Sequence, residues 1–178
     1  MIVRDKTKGT GARLYLTEEV IERYSPRLFR LCFFLCQNEN DANDVLQETW
    51  VKIMRNIGKY DEGRDFGKWA SAVCVNTFRD MYRKNKRRRF VEFTDTEAME
   101  KFLNSLPADG GEAPTPDEYI TLYHAIGVLT PKMRTVTVLH YFSGYSEKEC
   151  SQILGISANK VKSRLYSARQ SLKRSLEQ

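Results

Sequence analysis

Asp41-Ala42-Asn43-Asp44-Val45-Leu46-Gln47-Glu48-Thr49-Trp50 opens the stretch, running on to Arg89, whose reading decides how the chain folds. Ala42, Val45, Leu46, Thr49, Ile53 and Ile57 recur at three- and four-residue steps, so they share one face of a helix. Asp41, Asp44, Glu48, Lys52 and Arg55 fall on the other side, acids early and bases late, as the helix dipole favours. A loop from Gly58 to Asp65, carrying Tyr60, Gly63 and Arg64, leads to a second helix from about Phe66. Its buried stripe is predicted to be Phe66, Trp69, Ala70, Val73, Cys74, Thr77 and Met81. Asn76, Arg79, Asp80, Arg83 and Arg87 make an exposed stripe at the same spacing. One helix thus offers a core inside and an increasingly positive edge outside, a surface suited to a polyanion.

Outward from this stretch the chain stays helical. Towards the N-terminus, Thr17 is placed to cap a helix with Val20, Ile21 and Tyr24, and Ser25-Pro26 reads as a second cap where a helix starts or restarts. Arg27 to Cys36 is richly apolar and is expected at the centre of the core; Gln37 to Asn40 reads as a turn. Residues 1–16 read as a mobile basic leader. Beyond Arg79 nearly every exposed position to Arg89 is Lys or Arg, and then the composition turns acidic. A capping box at Thr94 to Glu97 starts a short helix with Met99, Phe102 and Leu103, and the Pro- and Gly-rich run Pro107 to Pro114 closes a flexible acidic linker, 91–114.

The remaining third carries three further helix starts. Thr115 to Glu118 opens a helix through Ile120, Tyr123 and Val128; Thr130-Pro131 opens the next, with Met133, Val136, Leu139 and Tyr141, stopped by Gly144. Ser146 to Glu149 is a capping box for a short helix with Cys150, Ile153 and Leu154. After Gly155-Ile156, Ser157 caps a long helix carrying Val161, Leu165, Ala168 and Leu172. Nothing alternates over strand length. The fold class is all-α: two small helical domains, 17–90 and 115–178, joined by the linker, the second containing a helix-turn-helix.

With 178 residues, a net charge of +6 and a pI near 9.1, the chain favours nucleic acid or another anionic partner. The leader lacks an apolar signal core and no stretch approaches bilayer-spanning length, so the reading is cytoplasmic. Cys32, Cys36, Cys74 and Cys150 sit at mostly apolar helical positions and read as reduced core thiols. His124 and His140 stand apart, and no metal site or cofactor is expected.

Chemistry concentrates in two places. The last helix displays Asn159, Lys160, Lys162, Ser163, Arg164, Tyr166, Ser167 and Arg169 around a thin apolar seam, side chains able to reach phosphates and base edges in a major groove. The competing reading is a plain helical hairpin with a solvated basic face. The nine bases against three acids from Lys132 to Gln178 favour DNA. For Arg79 to Arg89 the competing reading is a solvated helix end. Against it, the bases continue a face that displays Asn76, and Tyr60 precedes it as a stacking platform of the kind unstacked bases use. The Asp41, Asp44 and Glu48 face read alone is equally well the soluble side of a helix.

Asp41-Ala42-Asn43-Asp44-Val45-Leu46-Gln47-Glu48-Thr49 closely resembles the core-binding signature of bacterial RNA polymerase sigma factors. Trp69-Ala70 through Val73, Val75, Asn76, Asp80, Arg83 and Arg87 resembles the promoter-melting segment that follows it. Leu129-Thr130-Pro131 with Arg134, Tyr141-Phe142 through Glu149, and Val161-Lys162-Ser163-Arg164-Leu165 with Ala168-Arg169 are similar to the helix-turn-helix that reads the −35 element. Two such modules and a short linker are similar to the extracytoplasmic-function (ECF) subfamily. The resemblance implies that Asp41, Asp44, Gln47 and Glu48 face the β′ clamp of core RNA polymerase, whose β flap is a further contact. Tyr60, Arg64, Trp69, Asn76, Arg79, Asp80, Arg83 and Arg87 would engage the −10 element, where bases flip from the non-template strand. Asn159, Lys160, Lys162, Ser163, Arg164, Tyr166 and Ser167 would meet the −35 duplex. It implies promoter DNA and an anti-sigma factor as partners, with no catalysis and no small-molecule substrate.

The chain departs from the family pattern at Cys150-Ser151, where Ile-Ala is usual, and at Asn159-Lys160, where Gly-Thr is usual; these bear on promoter identity. A stand-alone helix-turn-helix regulator would explain the C-terminal half and leave Asp41 to Arg89 without purpose. A nuclease would need a convergent carboxylate, His or metal cluster, and no His joins Asp41, Asp44 and Glu48.

Overall fold

The computed structural model describes residues 17–61, 63–85 and 116–176, apart from a few side chains at segment ends. Helices α1 (Glu18–Cys36), α2 (Glu39–Asn56) and α3 (Phe66–Asn85) form the first domain, with a 3₁₀ turn at Ile57–Lys59. Helices α4 (Pro116–Gly127), α5 (Pro131–Thr137), α6 (Glu147–Leu154) and α7 (Ala158–Leu176) form the second. A π-helical turn, Val138–Phe142, extends α5. Every regular element among the described residues is helical. None of these helices is long and apolar enough to cross a membrane. The leader, the acidic linker with its Thr94 cap, the Thr115 box, Arg87 and the rest of the basic run from Lys86 lie outside the described residues.

α1 is one helix, not two. Pro26 sits inside it at an exposed position, and a proline there removes one backbone bond at a cost of about 3 kcal/mol. The helix persists because its apolar face runs past the proline, from Val20 and Tyr24 to a C-terminal half in which Leu31 to Cys36 are all buried. Thr17 takes the N-cap position through its carbonyl, which accepts from Val20 and Ile21, while its hydroxyl makes no cap bond. Gln37, at φ 62°, turns the chain in the left-handed region. α2 then starts at Glu39, two residues before the sequence places it. Asn38 is the cap: its Oδ1 accepts from the Asp41 amide at 2.7 Å, and its Nδ2 donates to the Asp41 carboxylate at 2.8 Å.

The buried face of α2 is Ala42, Val45, Thr49 and Ile53, with Leu46 and Ile57 half-covered at its edge. On α3 the predicted stripe is buried at Phe66, Ala70, Cys74 and Thr77, and half-covered at Trp69, Val73 and Met81. A second face is buried as well, through Ser71, Val75 and Phe78. α3 lies between α1 and α2 on one side and α6 on the other, so it has two inward faces. In the second domain, Val128 is 62% exposed and does not belong to the inward stripe, because α4 ends at Gly127.

The helix-turn-helix carries its predicted punctuation. Both halves of the Ser146–Glu149 capping box form, Gly155 closes α6 at φ 61°, and the Ser157 hydroxyl accepts from the Lys160 amide at 3.4 Å. α6 and α7 pack on each other and α7 also packs on α5, with Val161, Leu165 and Ala168 buried.

One apolar core runs through both domains. Phe33 stacks on Tyr123 with ring centroids 5.2 Å apart, and Phe34 meets Phe142 at 4.4 Å. The four cysteines are buried free thiols, with Cys32 and Cys74 sulfurs 3.3 Å apart. Contact with Cys74 and burial push the Cys32 thiol up, and burial pushes Cys150 up to about 11. All four therefore behave as small packing groups.

Candidate polymerase and nucleic-acid interfaces

Three surfaces and one seam organise the functional residues. The first surface is a groove of about 730 Å³ between α2 and α3, lined among others by Asp44, Gln47, Glu48, Lys52, Asp80 and Arg83. Asp44 and Gln47 are exposed and Glu48 is half-exposed. Asp41 is not part of it: its carboxylate is turned back on Asn38 at the start of α2. Three of the four residues predicted to face polymerase therefore line one groove, and the fourth, Asp41, bonds to the helix cap.

Where α3 meets this groove, Asp80 accepts from Arg83 Nη2 at 2.5 Å and from Lys52 Nζ at 3.3 Å. The Arg83 hydrogen bond, then Lys52, holds the Asp80 carboxyl below its usual value. Asp80 thereby fixes Arg83 on the α3 ridge. Asn76 is exposed one turn earlier, and Arg79 is half-buried.

The second surface is the loop ahead of α3. The Asp61 carboxylate accepts from the Gly63 amide and from Arg64 Nε, at 2.9 and 3.2 Å, and Asp65 Oδ1 accepts from the Lys68 amide at 2.8 Å. Arg64 is exposed. Tyr60 corrects the sequence reading. Its ring is only 9% exposed, packed on Phe66 and Trp69, and its hydroxyl donates to the Arg64 carbonyl. It has no open face for a base to stack on; it holds the loop's shape, because a tyrosine flanked by two aromatic rings gains more by burial. Trp69 keeps a partly open face.

The third surface is the outward side of α7. Asn159, Lys160, Lys162, Ser163, Tyr166 and Ser167 are all exposed, Tyr166 at 61%. Lys162 lies 3.8 Å from Glu147, an exposed pair worth at most about 1 kcal/mol. Arg164 points elsewhere: it is half-buried and lines a cleft against Asn76, Arg79 and Arg83 of α3. The sequence grouped it with the −35 readers through the Val161–Leu165 motif. The packing of α7 beside α3 gives it the first domain as a neighbour instead.

The seam joins the two domains, and sequence reasoning assigned its residues no such role. Arg134 donates to the carbonyls of Ile126 (3.2 Å), Gly127 (2.5 Å) and Leu129 (3.3 Å) and, across the seam, to Leu35 (3.0 Å). These carbonyls lie at or just beyond the C-terminal ends of α4 and α1, where backbone acceptors have no intrahelical donor and a cation is favoured. α1 has no basic residue in its own last turn, so Arg134 supplies one from the other domain. Around it, Ser71 and Tyr145 hydroxyls meet at 2.9 Å, Arg27 Nη2 donates to the Ser143 carbonyl at 2.8 Å, and the Arg27 guanidinium sits 4.9 Å from the Tyr145 ring centre. Lys68 Nζ reaches Glu149 at 2.6 Å. Lys68 and then the Ser146 amide and hydroxyl hold the Glu149 carboxyl down at about 2. A sequence signal existed for Arg134, an arginine three residues past the proline of a helix start amid buried positions, but not for its acceptors.

A three-helix unit with an acidic groove and a basic ridge, tied to a helix-turn-helix with an exposed polar recognition helix, defines a DNA-binding transcription protein. Known proteins agree. The family model for Sigma-70 region 2 matches residues 20–88, and that for Sigma-70, region 4 matches residues 119–172. The ECF RNA polymerase sigma factor EcfG of Rhodopseudomonas palustris is 31% identical over 83% of this chain and 77% of its own length. The ECF RNA polymerase sigma factor SigE of Mycolicibacterium smegmatis is 30% identical over 93% of this chain, which spans only 63% of that relative. The sigma factor RpoE of Bartonella quintana, solved in complex with the anti-sigma factor NepR, superposes with a TM-score of 0.68 at 21% identity, covering 90% of this chain and 96% of that one. The chain belongs to the sigma-70 family, in its ECF group. The stand-alone regulator reading leaves the region 2 match without account.

Proposed function

We propose that this chain is a promoter-specificity subunit: it binds core RNA polymerase, directs it to promoters with −10 and −35 elements, and helps melt them. The observation that carries this is the separation of three differently built surfaces on two modules in the order the family has them. The groove with Asp44, Gln47 and Glu48 is the face for the β′ clamp, and the β flap is a further contact. Arg64, Trp69, Asn76, Arg79, Asp80 and Arg83, with Arg87, serve the −10 element. Asn159, Lys160, Lys162, Ser163, Tyr166 and Ser167 serve the −35 duplex, joined by Arg164 once the seam opens. The hydrogen bonds of 2.8 to 3.2 Å that Asp61 and Asp65 accept from Gly63, Arg64 and Lys68 suit a surface that must receive flipped bases without rearranging. The protein performs no catalysis of its own and works in the cytoplasm, where core polymerase is. An anti-sigma factor is its regulator; the structural neighbour was solved in complex with one.

Run-off transcription by core polymerase, with and without the protein, on genomic fragments including its own upstream region tests this. Protein-dependent transcripts sharing a pair of upstream elements support it; neither transcripts nor core binding would sink it. Asn76→Ala with Arg83→Ala should impair open-complex formation, read by permanganate reactivity, and leave core binding intact.

A further inference from the structure

The seam encloses a cleft of about 860 Å³ that shares Asn76, Arg79, Asp80 and Arg83 with the −10 surface but is closed on its other side by the second domain. Its walls come from α3 and from the second domain, so it exists only while the two domains are packed. Arg79 and Arg83 enter from α3, Lys132 from the start of α5 and Arg164 from α7. One acid, Asp80, lines it too, and that carboxylate is already engaged by Lys52 and Arg83. Among the described residues neither Arg79 nor Arg164 has a hydrogen-bond or ion-pair partner. Burial, then the charges of Arg164 and Arg83, pulls Arg79 below the ordinary guanidinium value. Packing the domains thus forces like charges together in a partly dry space, which is costly unless an anion joins them. Phe78, Tyr82 and Pro131 form an apolar wall beside these cations, with the Phe78 and Tyr82 rings 5.8 Å apart.

We propose that this cleft binds a nucleoside polyphosphate, its phosphates bridging Arg79 and Lys132 with Arg164 and its base against the Tyr82 and Pro131 wall. The volume fits: small-molecule pockets run from about 300 to about 1,000 Å³. Guanidinium forks from two domains suit a multiply charged phosphate chain better than a single anion. Duplex DNA is not the occupant, since the exposed side of α7 that a major groove would admit, from Asn159 to Ser167, contributes only Arg164 to the cleft. A bound polyphosphate would hold the domains closed and keep Arg164 from the promoter.

Calorimetry on the full chain with magnesium-free ATP and with inorganic tripolyphosphate, at matched ionic strength, tests the site. The expected result is one ATP per chain, bound about tenfold or more tightly than tripolyphosphate. Arg164→Gln and Arg79→Gln should each weaken ATP about tenfold, the worth of one charge-assisted phosphate contact. Lys148→Gln, exposed on α6 away from the cleft, should leave binding unchanged. Equal affinity for ATP and tripolyphosphate, or equal losses in the Lys148 and Arg164 variants, would overturn the proposal in favour of diffuse charge attraction. If Arg79→Gln fails to fold, Arg164→Gln decides alone, because Arg164 anchors nothing. Run-off transcription with the same preparations separates the two readings: activity without cleft binding removes only this one.

Discussion

Replacing Arg134 with Met keeps the aliphatic bulk and removes every hydrogen bond the guanidinium makes. Four carbonyls lose the guanidinium: Ile126, which keeps the Leu129 amide as a donor, Gly127 and Leu129 at the end of α4, and Leu35 at the end of α1. A hydrogen bond to a charged group is worth about 1.5–3 kcal/mol, so four taken at face value would exceed 6. The net must be smaller. The freed carbonyls regain some water, and the variant no longer carries the cost of burying a guanidinium, a cost visible in the depression of the Arg134 pKa by burial. A buried acceptor left without a donor costs about 1–3 kcal/mol, and with two or three of the carbonyls so affected a net loss of about 3–5 kcal/mol is expected for Arg134→Met. Against a total stability of about 5–15 kcal/mol this is a large fraction. At about 2–4 °C per kcal/mol for a chain of this size, the midpoint should fall by roughly 6–20 °C. Urea unfolding followed by circular dichroism and tryptophan fluorescence measures the free-energy loss, and a thermal scan the midpoint. Arg134→Lys should recover less than half, because an ammonium is a point donor that cannot span two helix ends. A loss below about 1 kcal/mol, or full rescue by lysine, would refute the idea that one guanidinium caps both helices.

Three further outcomes follow from single features. Glu149 titrates at about 2 when folded and near 4.5 when not, so its contribution is complete above the unfolded value and vanishes as pH falls through about 2. Amide exchange where α3 meets α6 should accelerate across that window in the wild type, while Glu149→Gln should already be loose at pH 7 and insensitive to it. Gly155→Ala meets no atom within 4 Å of the new Cβ, so its cost is the left-handed backbone alone, about 1–2 kcal/mol by chemical denaturation; a neutral result would mean the α6 turn adopts another conformation. Lys162→Ala should lower the salt slope of promoter binding by about one unit, and an unchanged slope would place that phosphate contact on another residue.

Helix identity was legible wherever local chemistry was sufficient. The Ser146–Glu149 box, Gly155 and Ser157 are each decided by residues three or fewer apart, and all three do in the structure what their side chains allow. Reading failed where distant packing outweighed a local rule. Ser25-Pro26 is a good helix start in isolation, but the apolar face of α1 runs through it. The second buried face of α3, Ser71, Val75 and Phe78, follows helical spacing and could have been seen, yet nothing local says what covers it. Tyr60 beside a basic helix has the composition of a stacking platform, and only the positions of Phe66 and Trp69 turn its ring inward. Arg164 is the sharpest case: motif and exposure rules group it with Lys162, while the position of α7 relative to α3 gives it a different neighbourhood.

The residues that close the seam are, with few exceptions, not those that the proposed function assigns to DNA or polymerase. Arg134, Ser71, Tyr145, Lys68, Glu149 and Arg27 hold the domains together, whereas Asp44 and Gln47 remain exposed in the closed arrangement. Under the proposed function this separation sets an order of events. The polymerase-facing groove is available first, and Arg164 becomes available only when the seam parts. The Asp80–Arg83 pair lines both the α2–α3 groove and the interdomain cleft, so a partner that engages the groove also touches the wall of the cleft. The Lys68–Glu149 pair is partly exposed and screened by solvent, while each aromatic contact across the seam adds about 0.5–1.5 kcal/mol beyond its burial. A polymerase interface that parts the seam must offset these together with the Arg134–Leu35 bond and the apolar contacts of Phe33 and Phe34.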